Sequence, residues 1–175
     1  MKHWYMLTMV GQDRPGIVAH LTKALYEGSC NLGEASMMRL GTNFTIMLMV
    51  EHDGPLKSLR EMVAPVVQSM DLHLHIDEIR GRLHEHLVPN VRISVYGADR
   101  AGIVAKVTGA LASAGLHILN LESDVGGSAE RPIYIMHIEG QAREGVEVLR
   151  SALAGAHTAG DGIEIRLEPV DTMMG

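Results

Sequence analysis

Two short stretches of the chain carry residue types that can hold a small anion. Asp13-Arg14-Pro15-Gly16-Ile17-Val18 and Asp99-Arg100-Ala101-Gly102-Ile103-Val104 each place a charged pair and a glycine just before an apolar run at helical spacing. The first N–H groups of a helix have no intrahelical acceptor, and a glycine there lets a carboxylate approach the main chain. Arg14 and Arg100 would add positive charge beside it. The same residues also read as plain helix-start chemistry, with Asp13 and Asp99 as caps, Pro15 as a first-turn proline and Gly16 as a packing requirement. Residue types alone leave both readings open.

Other chemistry is sparser. His73-x-His75 on a strand would point both rings to one face, a spacing compatible with metal ligation, and His84-Glu85-His86 lies in the stretch between the two halves. No third or fourth ligand can be assigned, and zinc takes three protein ligands in catalytic sites and four in structural ones, so the expectation is no metal site. Scattered histidines could still make a regulatory output sensitive to pH. Cys30 is the single cysteine, and it reads as a small core residue rather than a nucleophile. The twelve methionines read as core filler and not as a copper site, because no Met-x-x-Met series with histidine partners is laid out. There is no Gly-x-Ser-x-Gly elbow, no Walker loop and no Gly-x-Gly-x-x-Gly after a strand. The expectation is therefore no catalytic residue, no cofactor and no enzyme.

The elements that must position these residues follow from a repeat. Asp13 to Leu25 reappears as Asp99 to Leu111 with nine of thirteen positions identical at a constant offset of 86. That period is a small domain copied once. We read residues 1–80 as the first domain, 81–89 as a linker and 90–175 as the second domain.

Each copy switches periodicity in the same order. His3 to Val10 and Val91 to Tyr96 read as strands, and Ile17, Val18, Leu21 and Leu25, like Ile103, Val104, Val107 and Leu111, fall at helical spacing. Asn31 to Leu40 and Asn43 to His52 read as two strands joined at Gly41-Thr42. A second helical stripe runs from Leu56 to Val67, and Leu72, Leu74, Ile76 and Ile79 close the copy as a strand. In the second copy the counterparts are strands near 116–124 and 132–139, a longer loop at 125–131, a helix near 143–155 and a last strand near 162–168. The order βαββαβ defines an α+β fold, a ferredoxin-like four-stranded antiparallel sheet with both helices on one face. Met37, Met38, Met47 and Met49 fall on the predicted central strands and on both faces, which suits sheets covered on both sides. We expect the halves to pack together and the chain to form a homo-oligomer.

Composition narrows the partners. The chain has 175 residues, 46% of them hydrophobic and 21% charged, with a formal charge of -6. Seven basic and nine acidic residues lie in 1–80, eight and twelve in 81–175, so neither half is a basic arm. Direct nucleic-acid binding is disfavoured, and aromatics at 3% are too few for a stacking platform. No segment approaches the roughly 20 apolar residues of a membrane span, the start of the chain lacks a cleavage pattern, and one cysteine fits a reducing compartment. The expected location is the cytoplasm, with no membrane partner.

The Asp-Arg-Pro-Gly-Ile-Val turn, the helix ending near Leu25 and the Cys30-Asn31-Leu32 start of the second strand resemble the ACT domain, a regulatory module that mostly binds amino acids. The second copy resembles it over Asp99 to Leu121. The tandem arrangement and the Leu40-Gly41-Thr42-Asn43-Phe44-Thr45 hairpin are similar to the glycine cleavage system transcriptional repressor family over nearly the whole chain. The resemblance implies an amino-acid sensor, with glycine or serine as first candidates, acting indirectly by restraining a DNA-binding regulator protein. In the ACT family the ligand lies at an interface between domains, touching the loop after the first strand and the start of the second. By position this implies Gly11, Asp13, Arg14, Gly16, Ile17 and Asn31 in one copy and Gly97, Asp99, Arg100, Gly102, Ile103 and His117 in the other, with Ile17 and Ile103 as pocket walls. Ala101 in place of proline and His117 in place of asparagine imply unequal sites. The alternative is a docking or dimerisation module whose ligand sites are vestigial.

Overall fold

The computed structural model describes residues 2–80, 87–98, 102–128, 130–156 and 162–170. The chain divides into two compact units, Met1–His84 and Glu85–Gly175. The linker predicted at 81–89 falls largely on 81–86, outside the described residues. The first unit runs β1 (His3–Gln12), α1 (Ile17–Glu27), β2 (Asn31–Leu40), β3 (Asn43–His52), α2 (Leu56–Ser69) and β4 (Leu72–Glu78). The second runs β5 (Val91–Ala98), α3 (Ile103–Ser113), β6 (Leu116–Ser128), β7 (Arg131–Ala142), α4 (Val146–Ala156) and β8 (Ile163–Pro169).

Both sheets are antiparallel, ordered β2-β3-β1-β4 and β6-β7-β5-β8, as the βαββαβ reading requires. The period-two pattern of β1 turns Tyr5, Leu7 and Met9 to the helix side, where they meet Ile46, Leu48 and Val50 of β3. Ile17, Leu21 and Leu25 of α1 and Leu59, Val63 and Val66 of α2 close over them at i, i+4 and i+3 spacing. The second core repeats this with Val91, Ile93 and Val95 against Met136 and Ile138, under Val107, Leu111, Leu149 and Leu153. Each fully buried leucine of these stripes contributes roughly 1.5–3 kcal/mol by leaving water.

Two details differ from the sequence reading. β2 is an edge strand, not a central one, and it is exposed along its full length, so Met37 and Met38 lie at the sheet margin. The stretch read as a loop at 125–131 is mostly ladder: β6 continues to Ser128 and β7 starts at Arg131, with Gly126 and Gly127 paired opposite Ile133 and Pro132. Glycines at 126 and 127 read as a loop in sequence, but the hydrogen-bond ladder extends through them.

Candidate functional site

The predicted anion loops are built alike where both can be seen. Gly16 and Gly102 are the N-cap residues of α1 and α3, with φ of 90° and 91°, and among the described residues no side chain caps either helix. Only glycine takes that left-handed conformation without strain, which explains the identity of both positions. Asp13 is not a cap. Its carboxylate accepts a 2.8 Å ion-paired bond from Arg39 Nε, and its backbone N–H donates to the Thr42 carbonyl at 2.9 Å. Asp13 therefore latches the loop to the β2–β3 hairpin. His20, one turn into the helix, sets its Nδ1 2.7 Å from the Gly16 carbonyl.

Arg14 is exposed beside this loop. Ile17 and Ile103 turn their side chains into the two cores, so neither forms a pocket wall; what each can offer a ligand is its backbone. Gly11 and Gly97 have a packing reason to be glycine: a Cβ would come within 2.7 Å of Leu72 in one unit and 3.1 Å of the Gly162 carbonyl in the other. Asp99, Arg100 and Ala101 lie outside the described residues.

Asn31 does not join the loop of its own unit. It pairs opposite Glu51, which faces Trp4 on β1, whereas Gly11 faces Phe44. Seven strand positions separate Phe44 from Glu51, a distance of about 23 Å along the sheet. His117 stands in the same relation to Gly97, opposite Gln141 while Gly97 faces Tyr134. At its own end of the sheet Asn31 Nδ2 donates to Glu51 Oε2 at 2.7 Å, and Lys2 Nζ reaches the same oxygen at 2.8 Å. The Lys2 bond first, then the Asn31 bond, hold the Glu51 carboxyl below its ordinary range. The described residues of each predicted set thus fall on two opposite ends of their unit.

Clefts lie elsewhere. One of about 410 Å³ is lined by His3, Tyr5, Gly54, Pro55, Leu56 and Glu78, and one of about 420 Å³ lies between α4 and β8. Neither includes a predicted residue. His73 and His75 do share a face of β4, but among the described residues no three His, Cys, Asp or Glu side chains converge, and His75 pairs with Asp77 at 3.0 Å. His84 and His86 are outside the described residues. Sequence reasoning missed Arg39, Thr42 and His20 at the loop. The hairpin at Gly41-Thr42 was the available signal for the first two, because it returns the end of β2 to the end of β1. No helix among the described residues is long and apolar enough to cross a membrane.

Comparison with known proteins agrees with this architecture. Residues 3–77 match the family model of the ACT domain. The chain is 23% identical over 139 residues to the glycine cleavage system transcriptional repressor of Escherichia coli (strain K12), covering 79% of this chain and 73% of that protein, and the Shigella flexneri repressor matches equally. A crystal structure of an unknown protein from Galdieria sulphuraria superposes with a TM-score of 0.76 at 22% identity, covering 98% of this chain and all of that one. A crystal structure of a protein assigned as a glycine cleavage system transcriptional repressor superposes with a TM-score of 0.70 at 19% identity, covering 98% and 99%.

Two βαββαβ units, each with a glycine-opened helix start after its first strand, make this a tandem ACT-like ferredoxin fold. The first unit matches the ACT-domain family model, the second repeats its βαββαβ order, and the chain resembles the glycine cleavage system transcriptional repressors.

Proposed function

We propose that this protein is a cytoplasmic amino-acid sensor without catalytic activity, which controls amino-acid metabolism indirectly by contact with a DNA-binding regulator protein. Glycine and serine are the first candidate ligands. The observation that carries this reading is the helix start at Gly16, which no side chain among the described residues caps and whose first N–H groups suit an amino-acid carboxylate, with Gly102 repeating its left-handed glycine. A zwitterion also needs an acceptor for its ammonium and an amide that both donates and accepts. In the first unit Asp13, with one oxygen engaged by Arg39, and Asn31 have those chemistries.

Because Asn31 and the Asp13 loop sit at opposite ends of one unit, a shared ligand requires Asn31 of a second ACT unit. The exposed edge strand β2 supports a homo-oligomer as its source. Two-fold antiparallel pairing of β2 edges sets the start of one strand beside Arg39 and Leu40 at the end of the other. Ligand would then favour one packing of the units, and its differential affinity for that packing is the signal passed to the partner. Gly11, Arg14 and Ile17, with Gly97, Asp99, Arg100, Ile103 and His117 in the second unit, complete the proposed sites. His117 in place of Asn31 makes the two unequal.

A thermal-shift panel against the twenty amino acids tests this. Ligand at 100 times its Kd stabilises the native state by about 2.7 kcal/mol, a shift of several degrees. The expected result is a shift with one or two small amino acids that Asn31→Ala abolishes. A second reading is favoured by the apolar outer face of the first sheet, where Trp4, Met6, Val10, Met38 and Met47 remain uncovered or half-covered. It makes the protein a docking module, and it predicts no shift with any amino acid.

A further inference from the structure

Where α1 ends and β2 begins, the first unit buries a group of polar and sulfur atoms that the sensor reading does not use. Cys30 Sγ lies 3.6 Å from His52 Nδ1 and 3.7 Å from Met62 Sδ. Cys30 and His52 are 9% and 8% exposed, and Met62 packs against the same core. The thiol has one proton and three neighbours that can accept it, the third being the Gly28 carbonyl at 3.8 Å. One S–H cannot serve them all.

The imidazole is held in a defined orientation. Ser58 Oγ donates to the Pro55 carbonyl at 2.8 Å, so it accepts from His52 Nε2, 2.7 Å away. The proton is thereby fixed on Nε2, and Nδ1 turns its lone pair toward Cys30. A hydrogen bond from the far ring nitrogen that fixes the tautomer and the ring plane is what metal-bound histidines have.

The separations have a meaning. With metal–sulfur bonds of about 2.3 Å and metal–nitrogen bonds of about 2.0 Å, ligands in trigonal or tetrahedral arrangement stand roughly 3.5–4.0 Å apart. Both measured separations from Cys30 fall in that range. The donor set is one thiolate, one thioether and one imidazole; thiolate and imidazole would serve zinc as well, and it is the thioether, absent from the usual zinc ligands, that favours copper(I).

The second unit supplies an internal control. Sheet register and helix spacing bring Leu116, Ala142, Val148 and Ala152 to the places of Cys30, His52, Ser58 and Met62, with Leu116 paired opposite Ala142. That corner carries no thiol, thioether or imidazole at these places: Leu116 and Ala142 are buried, Ala152 is partly buried and Val148 is exposed. The first unit even clears space for the thioether: a Cβ on Gly28 would collide with Met62 Sδ, and the corresponding residue in the second unit is Ala114.

We propose that Cys30, His52 and Met62 form a binding site for one copper(I) ion. Binding exchanges the Cys30 thiol proton, released to solvent, for a sulfur–copper bond, with no change in oxidation state. The site is independent of the amino-acid-sensing function, since it uses none of those residues.

Anaerobic titration of the full chain with copper(I) held by a chromophoric chelator tests it. The expected result is one equivalent withdrawn per chain, with two sulfurs and one nitrogen around copper by X-ray absorption. Cys30→Ser abolishes the transfer, and Met62→Leu, which conserves volume and folding, weakens it at least tenfold. Zinc(II) offered in the same way is not retained. The proposal is overturned if the wild-type chain withdraws no copper(I), or if Met62→Leu, shown folded by its circular dichroism and melt, withdraws it as tightly as wild type.

Discussion

The two units share a fold and differ most where the fold does not dictate the residue. On the outer face of the first sheet, Trp4, Met6, Thr8 and Val10 of β1 lie beside Met47 and Met49 of β3 and within reach of Met38 on β2. The same face of the second sheet is charged. Arg92 donates to Glu139 Oε1 through Nε and Nη2 at 2.9 and 2.6 Å, Ser94 pairs with His137 at 3.0 Å, and Arg166 lies over the Tyr96 ring at 5.8 Å while donating to Glu164. The inner faces diverge little: Tyr5, Leu7 and Met9 correspond to Val91, Ile93 and Val95, all buried. A core position must fill volume beneath two helices, so a duplicated unit keeps it apolar. An outer position answers only to solvent or to a partner, and here the copies have taken opposite solutions.

The strongest way to break the comparison is to damage the equivalent core in each copy. Leu25 and Leu111 end the same helical stripe and are both fully buried. Truncating either to alanine is expected to cost about 2–5 kcal/mol. If each unit owns its core, Leu25→Ala accelerates hydrogen exchange within 2–80 and Leu111→Ala within the second unit. Trp4 is the only tryptophan and reports the first unit by fluorescence. Equal loss of protection in both units from either variant would mean that they unfold as one body.

A finer difference sits at the helix starts. Alanine at Gly16 or Gly102 takes on the left-handed penalty of about 1–2 kcal/mol. At Gly16 the new Cβ also meets the His20 ring at 3.1 Å, whereas at Gly102 nothing among the described residues lies within 4 Å. Gly16→Ala should therefore be the more destabilising by chemical denaturation, and His20→Ala in the same chain should bring the two to parity. Equal costs in an otherwise unchanged background would show that the imidazole moves aside freely.

These contrasts explain what could be read from the residues alone. The repeat, the period changes and the Gly41-Thr42 turn made the βαββαβ order legible, because each rests on spacing along one segment. Asp13 could be read as a cap as well as a ligand residue, because its only visible neighbour was the helix that follows it. Its true partners, Arg39 and Thr42, come from the next hairpin and are brought in by sheet register. The separation of Asn31 from Gly11 was hidden for the same reason: the end of β1 and the start of β2 look adjacent in a motif but lie at opposite ends of the sheet. Cys30 precedes β2, His52 ends β3 and Met62 lies on α2, and no pattern in the sequence joins them.

The smallest expected effect concerns a carboxylate that one copy has and the other lacks. Glu78 on β4 stands opposite Tyr5, and the corresponding place opposite Val91 is Pro169. The Arg80 guanidinium, first through its 3.2 Å hydrogen bond and then through its charge, holds the Glu78 carboxyl below its ordinary value, and His3 at 3.1 Å adds to it. A carboxyl depressed in the folded state contributes stability above its unfolded pKa, and that contribution is lost as the pH falls through the folded pKa. Acid should therefore weaken this corner of the first unit, with no counterpart at Pro169. Arg80 is 86% exposed, so salt screens the pair and the effect on global stability is slight. The sensitive readout is the Glu78 carboxyl carbon followed by NMR through an acid titration. In Arg80→Ala its midpoint should move up, and added salt should move the wild-type midpoint the same way. A midpoint indifferent to both would leave His3 as the group that sets it, and His3→Gln would then be the variant that shifts it.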